Sequence, residues 1–239
     1  MIEQLNAKIS QIFEEAKLNI KDPNLKSIID RNFVSSIIDM KADVLICGIN
    51  PSFRANETNL NFYSFDFNHL ENDTKYFKKF HDLVKVYKNK FAFTYTDMFY
   101  QRHTEQKEIL SFYSEKEGIE FLCKQLIVTQ EMIEQLKPKL ILVFNKQAAN
   151  FWGLNYQDRE NILENVWLGY EFENTEIENL YRITGLLESK ERLNSGLKDT
   201  NLIGTLVYFS RFISYRTDKK VMDKIKSDIP SLINKITSS

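Results

Sequence analysis

The chain has 239 residues, a net charge of −1 and a hydrophobic content of 43%. This near-neutral balance excludes a strongly basic protein that binds nucleic acid without specificity, although it allows a local basic groove. Two cysteines are too few for a four-cysteine zinc or iron–sulfur site, and no apolar run is long enough to span a bilayer. With no signal peptide and no disulfide framework, we expect one cytoplasmic globular domain over residues 1–239.

The first forty residues predict helices. Apolar side chains recur at helical spacing in residues 2–16, which indicates an amphipathic helix. Pro23 marks a break, and a second short helix is predicted around Leu25–Ile38. Residues 1–40 are therefore interpreted as a helical extension that precedes the sheet.

The most informative stretch follows this extension. Val44–Cys47 is a short apolar run of strand length, and it ends in the turn Gly48-Ile49-Asn50-Pro51-Ser52. Glycine permits unusual φ values, and proline fixes φ and lacks an N–H, so Gly48 and Pro51 constrain the backbone on either side of Asn50. Ligands bind at the carboxyl edge of the strands in open α/β sheets, so this turn is a candidate binding site.

Residues 53–73 form a long polar and aromatic segment, and such a length is typical of a functional loop or of disorder. Four aromatic side chains within residues 62–67 argue against disorder. Two roles stay open for these rings, namely packing of the loop on the core and stacking on a ligand.

The rest of the chain alternates between helical and strand patterns, which predicts an α/β fold with a central, mostly parallel four-stranded sheet. Further strands are predicted at 91–96, 140–144 and 205–209, with a possible short strand at 167–172. Helices are predicted at 74–87, after a capping box at 114–117, at 145–152, and at about 217–236 with an interruption at Pro230.

Polar residues collect where the four predicted strands end. In a parallel sheet these ends meet at one edge, where polar side chains are also common simply because they face solvent. We favour that ordinary explanation for Asn145, as a helix N-cap, and for Lys146, and a functional role for Asn50. The histidines show no metal-binding spacing, and His103 is expected at the surface. The polar strand ends are Asn50 and Ser52, Asp97, Asn145 and Lys146, and Ser210 and Arg211.

The Gly48–Ser52 turn resembles the first active-site motif of the uracil-DNA glycosylase superfamily, and it is most similar to the mismatch-specific uracil/thymine branch, where the turn reads Gly-Ile-Asn-Pro. Three later segments are similar in the same order. Asn72–Lys78 resembles the entry to the first long helix, Thr96–Phe99 the second strand end, and Pro138–Ala149 the third strand and its helix. Together these pieces cover roughly residues 40–215.

The resemblance implies a three-layer α/β/α fold and a DNA glycosylase of base excision repair that needs no metal or other cofactor. Such enzymes flip a damaged or mismatched base into a pocket and hydrolyse its N-glycosidic bond. The implied partner is DNA, either a duplex or a single strand, bound by a monomer. Asn50 matches the family's water-positioning residue.

The same resemblance implies the substrate-binding residues. Phe65 is our choice for the ring that stacks on the base, and Phe67 and Phe53 compete with it. Asp97 falls where relatives read the base edge, and Arg211 follows the last strand. The substrate-binding set comprises Gly48, Ile49, Pro51, Ser52, Phe65, Phe67, Asp97, Ser210 and Arg211.

Two positions depart from the family pattern. Many members carry asparagine where Asp97 stands, and a carboxylate only accepts hydrogen bonds, so the residue favours a base with an amino group over uracil. The fourth strand ends in Ser210-Arg211, where many members have His-Pro-Ser. The alternatives are therefore a protein of the same fold that binds nucleotides or nucleic acid without the chemistry, and an unrelated hydrolase that uses Asp97 as a base.

Overall fold

The computed structural model describes residues 2–53, 62–64, 75–145, 148–154, 167–188, 192–211, 213 and 217–237. Its α-helices are α1 (Ile2–Asn19), α2 (Pro23–Ile29), α3 (Lys75–Val84), α4 (Lys116–Leu136), α5 (Ala148–Trp152) and α6 (Lys219–Thr237). Its strands are β1 (Ser35–Ile37), β2 (Val44–Gly48), β3 (Phe62–Ser64), β4 (Phe93–Asp97), β5 (Leu140–Val143), β6 (Tyr170–Asn174), β7 (Leu180–Leu186) and β8 (Leu206–Phe209). Within these residues, 3₁₀ helices span Lys85–Tyr87 and Gln106–Ser114.

The main sheet has six strands in the order β4-β2-β5-β8-β7-β6. The first four are parallel, which confirms the predicted α/β fold with a mostly parallel sheet. The prediction of four strands is wrong for the whole sheet, because β7 and β6 extend it as an antiparallel pair. Both strands carry exposed polar residues and β6 lies at the edge of the sheet, so neither has the continuous apolar pattern of a buried strand. β1 and β3 form a separate parallel pair.

Both faces of the sheet are covered by helices. Alternate residues of the parallel strands belong to two hydrophobic clusters, as the two-residue period of a strand requires. One cluster contains Leu45 and Val143 together with side chains of α1, α2, α4 and α5, and we call this side the α4 face. The other contains Ile46 and Leu142 with side chains of α3 and α6, and we call it the α6 face.

The second predicted helix is shorter than expected. α2 begins at Pro23 because the Asp22 side chain accepts hydrogen bonds from the backbone N–H groups of Asn24 (2.7 Å) and Leu25 (3.0 Å). The helix ends at Ile29, and Asn32 has a positive φ of 62°. Residues 35–37 then form β1, so the prediction of helix up to Ile38 is wrong.

Two other predicted helix signals are also wrong. The capping box at 114–117 does not form, because Ser114 belongs to the preceding 3₁₀ helix and its hydroxyl donates to the carbonyl of Ser111 (2.7 Å). α6 continues through Pro230, because apolar side chains on both sides of the proline, including Ile229 and Leu232, are buried against the α6 face. Among the described helices, none is sufficiently long and apolar to cross a membrane.

Candidate functional site

The carboxyl ends of β2 and β5 lie at a topological switch point. The chain leaves β2 toward β4 on one side of the pair, whereas it leaves β5 toward β8 on the other side. The crevice outside two such strand ends is the usual place for a ligand in an open α/β sheet. The Gly48–Ser52 turn follows β2 directly, so the fold places it at this crevice.

The turn continues the pairing of β2 with β4 beyond the sheet. The carbonyl of Gly48 accepts from Met98 N (3.1 Å), and the carbonyl of Ile49 accepts from Phe99 N (2.8 Å). Farther along, His103 N donates to the carbonyl of Pro51 (3.0 Å). Each side of Asn50 is therefore tied to the segment that follows β4, and this fixes the backbone of the turn.

Asn50 is half-buried, between the buried residues Ile49 and Pro51 and next to the exposed Ser52. Its side-chain Nδ2 donates to the carbonyl of Pro51 (3.0 Å). Within the part of the chain that the structure describes, no group donates to its Oδ1. The amide is thus oriented by its nitrogen, and its oxygen is available as an acceptor for a water molecule or a ligand.

Asp97 lies beside the backbone of Gly48, with which it pairs in register. The Tyr95 hydroxyl donates to Asp97 Oδ1 (2.8 Å), and the Asp97 side chain is buried. A Cβ atom on Gly48 would lie 2.2 Å from Asp97 Oδ1 and 2.4 Å from the Tyr95 oxygen. Any larger residue at position 48 would therefore force the Asp97 or Tyr95 side chain to shift, which favours glycine there. Its assignment to substrate binding stays a prediction.

The thiol next to this carboxylate is not activated. Burial raises the pKa of Cys47 well above its usual value, and the nearby charge of Asp97 raises it further. Burial likewise raises the pKa of the Tyr100 hydroxyl, which lies 3.0 Å from the Thr129 Oγ1. Because a nucleophilic cysteine needs its thiolate, Cys47 is not a candidate nucleophile.

Ser210 and Arg211 follow β8 at the same edge of the sheet. Ser210 is buried, its N–H donates to the carbonyl of Val143 (3.0 Å), and its hydroxyl donates to the carbonyl of Arg211 (2.9 Å). Both residues line a cleft of about 390 Å³ between the β6–β7 turn, the end of β8 and the start of α6. Since β8 is the second strand from β2, the Ser210 backbone lies roughly 10 Å across the sheet from that strand.

The parallel strands thus bring Asn50, Asp97 and Ser210 to one edge, as the sequence predicts. Phe65, the preferred stacking residue, and its competitor Phe67 lie outside the described residues, as does Lys146. Asn145 is buried at the end of β5, and its carbonyl accepts from Ala148 N (3.0 Å) as α5 begins.

The prediction that His103 lies at the surface is wrong. Its side chain is 2% exposed and its ring stacks on Phe112 with a centroid separation of 6.1 Å. Burial lowers the pKa of His103 to about 4, against an opposing effect of Glu108, and the Arg31 charge lowers it further. His103 is therefore neutral at pH 7, and its backbone rather than its ring contacts the Asn50 turn.

Sequence reasoning also missed two arginines beside the turn. Arg31 and Arg102 both approach the ring of Phe53, with distances from guanidinium carbon to ring centroid of 4.9 Å and 5.2 Å. Neither position carries a local motif, because each arginine is brought to Phe53 from a different element of the fold. The only available signal was that Arg102 follows shortly after a predicted strand.

In comparisons with known proteins, no family model matches this chain, and no curated protein matches it in sequence.

Proposed function

We propose that the protein is a DNA glycosylase-like hydrolase that cleaves the N-glycosidic bond of a damaged or mismatched base. The observation that carries this proposal is the orientation of Asn50, whose Nδ2 is bound to the Pro51 carbonyl (3.0 Å) at the topological switch point. This leaves the side-chain oxygen as an acceptor beside the crevice. The proposed fold is the three-layer arrangement of uracil-DNA glycosylases, and the helices on both faces of the sheet support it.

The proposed chemistry suits an amide. Cleavage of an N-glycosidic bond builds positive charge on the sugar and negative charge on the departing base. When departure of the base is nearly complete in the transition state, the sugar is a strong electrophile. The protein then has to orient a water molecule at the anomeric carbon and does not have to deprotonate this water fully. Asn50 Oδ1 accepts a hydrogen bond from that water, and the rigid turn lowers the entropy cost of placing it.

The proposed substrate base carries an amino group. By its resemblance to uracil-DNA glycosylases, Asp97 stands where those enzymes contact the edge of the base. Its carboxylate only accepts hydrogen bonds. The Tyr95 hydroxyl already occupies one acceptor site on Oδ1 (2.8 Å), which fixes the orientation of the carboxylate. A negative charge here disfavours a departing uracil anion and favours an amino-bearing base such as cytosine or adenine.

The second candidate is a protein that binds a nucleotide or nucleic acid without hydrolysing it. Two observations favour it. Asp97 is buried and bound by Tyr95, and the end of β8 carries Ser210-Arg211 without a histidine to support the leaving base. Both candidates use the same edge of the sheet, and they differ only in whether the bond is broken.

The test is incubation with end-labelled duplexes and single strands that contain uracil, a thymine mismatch, hypoxanthine, xanthine or an amino-bearing base, followed by alkali. Strand breaks at the modified position, which are absent in the Asn50→Ala variant, support the hydrolase. Binding in a gel-shift assay without breaks supports the second candidate. Neither breaks nor binding on any substrate contradicts both.

A further inference from the structure

Phe53 follows the Asn50 turn and is contacted by two guanidinium groups. The Arg31 carbon Cζ lies 4.9 Å from the ring centroid, and that of Arg102 lies 5.2 Å from it. Both distances are within the range of cation–π attraction, which strengthens when the groups are shielded from water. The Arg102 side chain is buried and Arg31 is 18% exposed, so shielding applies to both.

The same arginines bind the backbone around the turn. Arg102 Nε donates to the carbonyl of Ser52 (3.4 Å), and Arg31 donates to the carbonyl of Arg102 (3.3 Å). Arg31 also forms an ion pair with Glu108 (2.7 Å), and this carboxylate accepts from Thr104 N (3.1 Å). The network therefore joins the end of α2 and the 3₁₀ helix at 106–114 to the residues that follow Asn50.

Backbone hydrogen bonds hold the same segment that the arginines contact. Phe53 N donates to the carbonyl of His103 (2.8 Å), and His103 N donates to the carbonyl of Pro51 (3.0 Å). The Pro51 carbonyl is also the acceptor for Asn50 Nδ2 (3.0 Å). The orientation of the Asn50 amide thus depends on one carbonyl, and the position of that carbonyl depends on the segment that Phe53 and the arginines fix.

We propose that Arg31, Phe53 and Arg102 form a clamp that positions Asn50 and that Arg102 is its main positioning residue. This inference rests on the proposed function for its catalytic consequence, although the clamp itself is a property of the structure. Arg102 makes both the ring contact and the contact with the Ser52 carbonyl. It acts on the reaction only through the orientation of the Asn50 side chain, without contact with substrate.

The structural half of the proposal is tested by amide hydrogen exchange in the full chain. Phe53→Leu keeps an apolar side chain and removes the ring face, and Arg102→Lys keeps the charge and removes the planar group. We expect exchange at the N–H groups of Phe53 and His103 to become about tenfold faster in either variant, with no change within β2. Phe172→Leu and Arg182→Lys, which lie on β6 and β7, are matched controls that leave these rates unchanged.

The catalytic half is tested by single-turnover kinetics on whichever duplex the wild-type protein cleaves. We expect Arg102→Lys to lower the rate at saturating enzyme about tenfold while the Kd for the duplex and the Tm change little. A fall in Tm that accounts for the loss of rate, or an unchanged rate, overturns the positioning role. If the wild-type protein cleaves no duplex, the proposed function fails, whereas the exchange result still decides whether the clamp exists.

Discussion

At the β2–β4 end of the carboxyl edge the Asp97 side chain is buried and hydrogen-bonded, whereas at the β8 end the Arg211 side chain is exposed beside an open cleft. Asp97 is buried and accepts from Tyr95 (2.8 Å), and the Asn50 turn is tied on both sides to the next segment. Arg211 is exposed, and the described residues provide no carboxylate that pairs with it. The difference indicates that the first region holds its side chains in fixed positions, whereas the second leaves a charged side chain exposed.

The largest expected effect comes from filling the space at Gly48. A Gly48→Ala side chain would lie 2.2 Å from Asp97 Oδ1, and we expect this overpacking to lower the free energy of unfolding by about 3 kcal/mol. Gly185→Ala is the matched control, because its nearest neighbour lies at 3.4 Å, and it should be close to neutral. Chemical denaturation of both variants measures the difference. Equal stabilities would show that the β2–β4 end is less tightly packed than we describe.

Low pH should reduce the free energy of unfolding because it protonates the buried His103 beside the β2–β4 end. Burial lowers the pKa of this histidine from 6.5 to about 4, so the unfolded chain binds its proton more tightly than the folded chain does. Stability from this group is therefore present above pH 6.5 and is lost as the pH falls toward 4, by roughly 2 kcal/mol at pH 5. Denaturation curves between pH 8 and pH 5 should show this loss in the wild-type protein and a smaller loss in His103→Gln. Parallel pH dependences would exclude His103 as the source.

The charge of Asp97 should set base preference. Asp97→Asn keeps an acceptor for Tyr95 and adds donors, so the preference should move from amino-bearing bases toward uracil or thymine by about tenfold. Tyr95→Phe is the control, because it keeps the carboxylate and should keep the preference. Competition binding with oligonucleotides measures the ratio even if no bond is cleaved. An unchanged ratio in Asp97→Asn would mean that Asp97 only stabilises the strand end.

The smallest expected effect lies at the open end of the edge. Arg211→Ala should leave the free energy of unfolding within about 0.5 kcal/mol, because this side chain is exposed. If Arg211 contacts a phosphate, the variant should bind DNA a few times more weakly and with a salt dependence reduced by about one ion. Titrations at several salt concentrations measure both quantities. The control Arg182→Ala removes an exposed arginine on β7 and should leave the salt dependence unchanged.

Local features of the chain were predicted well from the sequence. The turn at 48–52 is recognisable from its glycine, asparagine and proline after an apolar run, and the parallel strands β2, β5 and β8 are continuous apolar segments. Features that depend on distant residues were not predicted. The contact of Tyr95 and Asp97 with Gly48 needs the register between β2 and β4, which no local pattern specifies.

The burial of polar residues also depends on distant parts of the chain, and the sequence did not predict it. His103 looks like a surface residue in sequence, and it is buried because the 3₁₀ helix at 106–114 brings Phe112 against its ring. The arginines around Phe53 come from the end of α2 and from the segment after β4. β7, which lies between β8 and β6, was missed because its exposed polar side chains interrupt the continuous apolar pattern of a core strand.

The most direct test of the proposed function is single-turnover cleavage of a labelled DNA panel by wild-type protein, Asn50→Ala and Asn19→Ala. Asn50 orients the water in the proposed mechanism, whereas Asn19 is an exposed asparagine at the end of α1. We expect strand breaks with the wild-type protein and with Asn19→Ala, and a loss of about 100-fold or more with Asn50→Ala at unchanged DNA affinity. Cleavage by Asn50→Ala at the wild-type rate would contradict the role of Asn50.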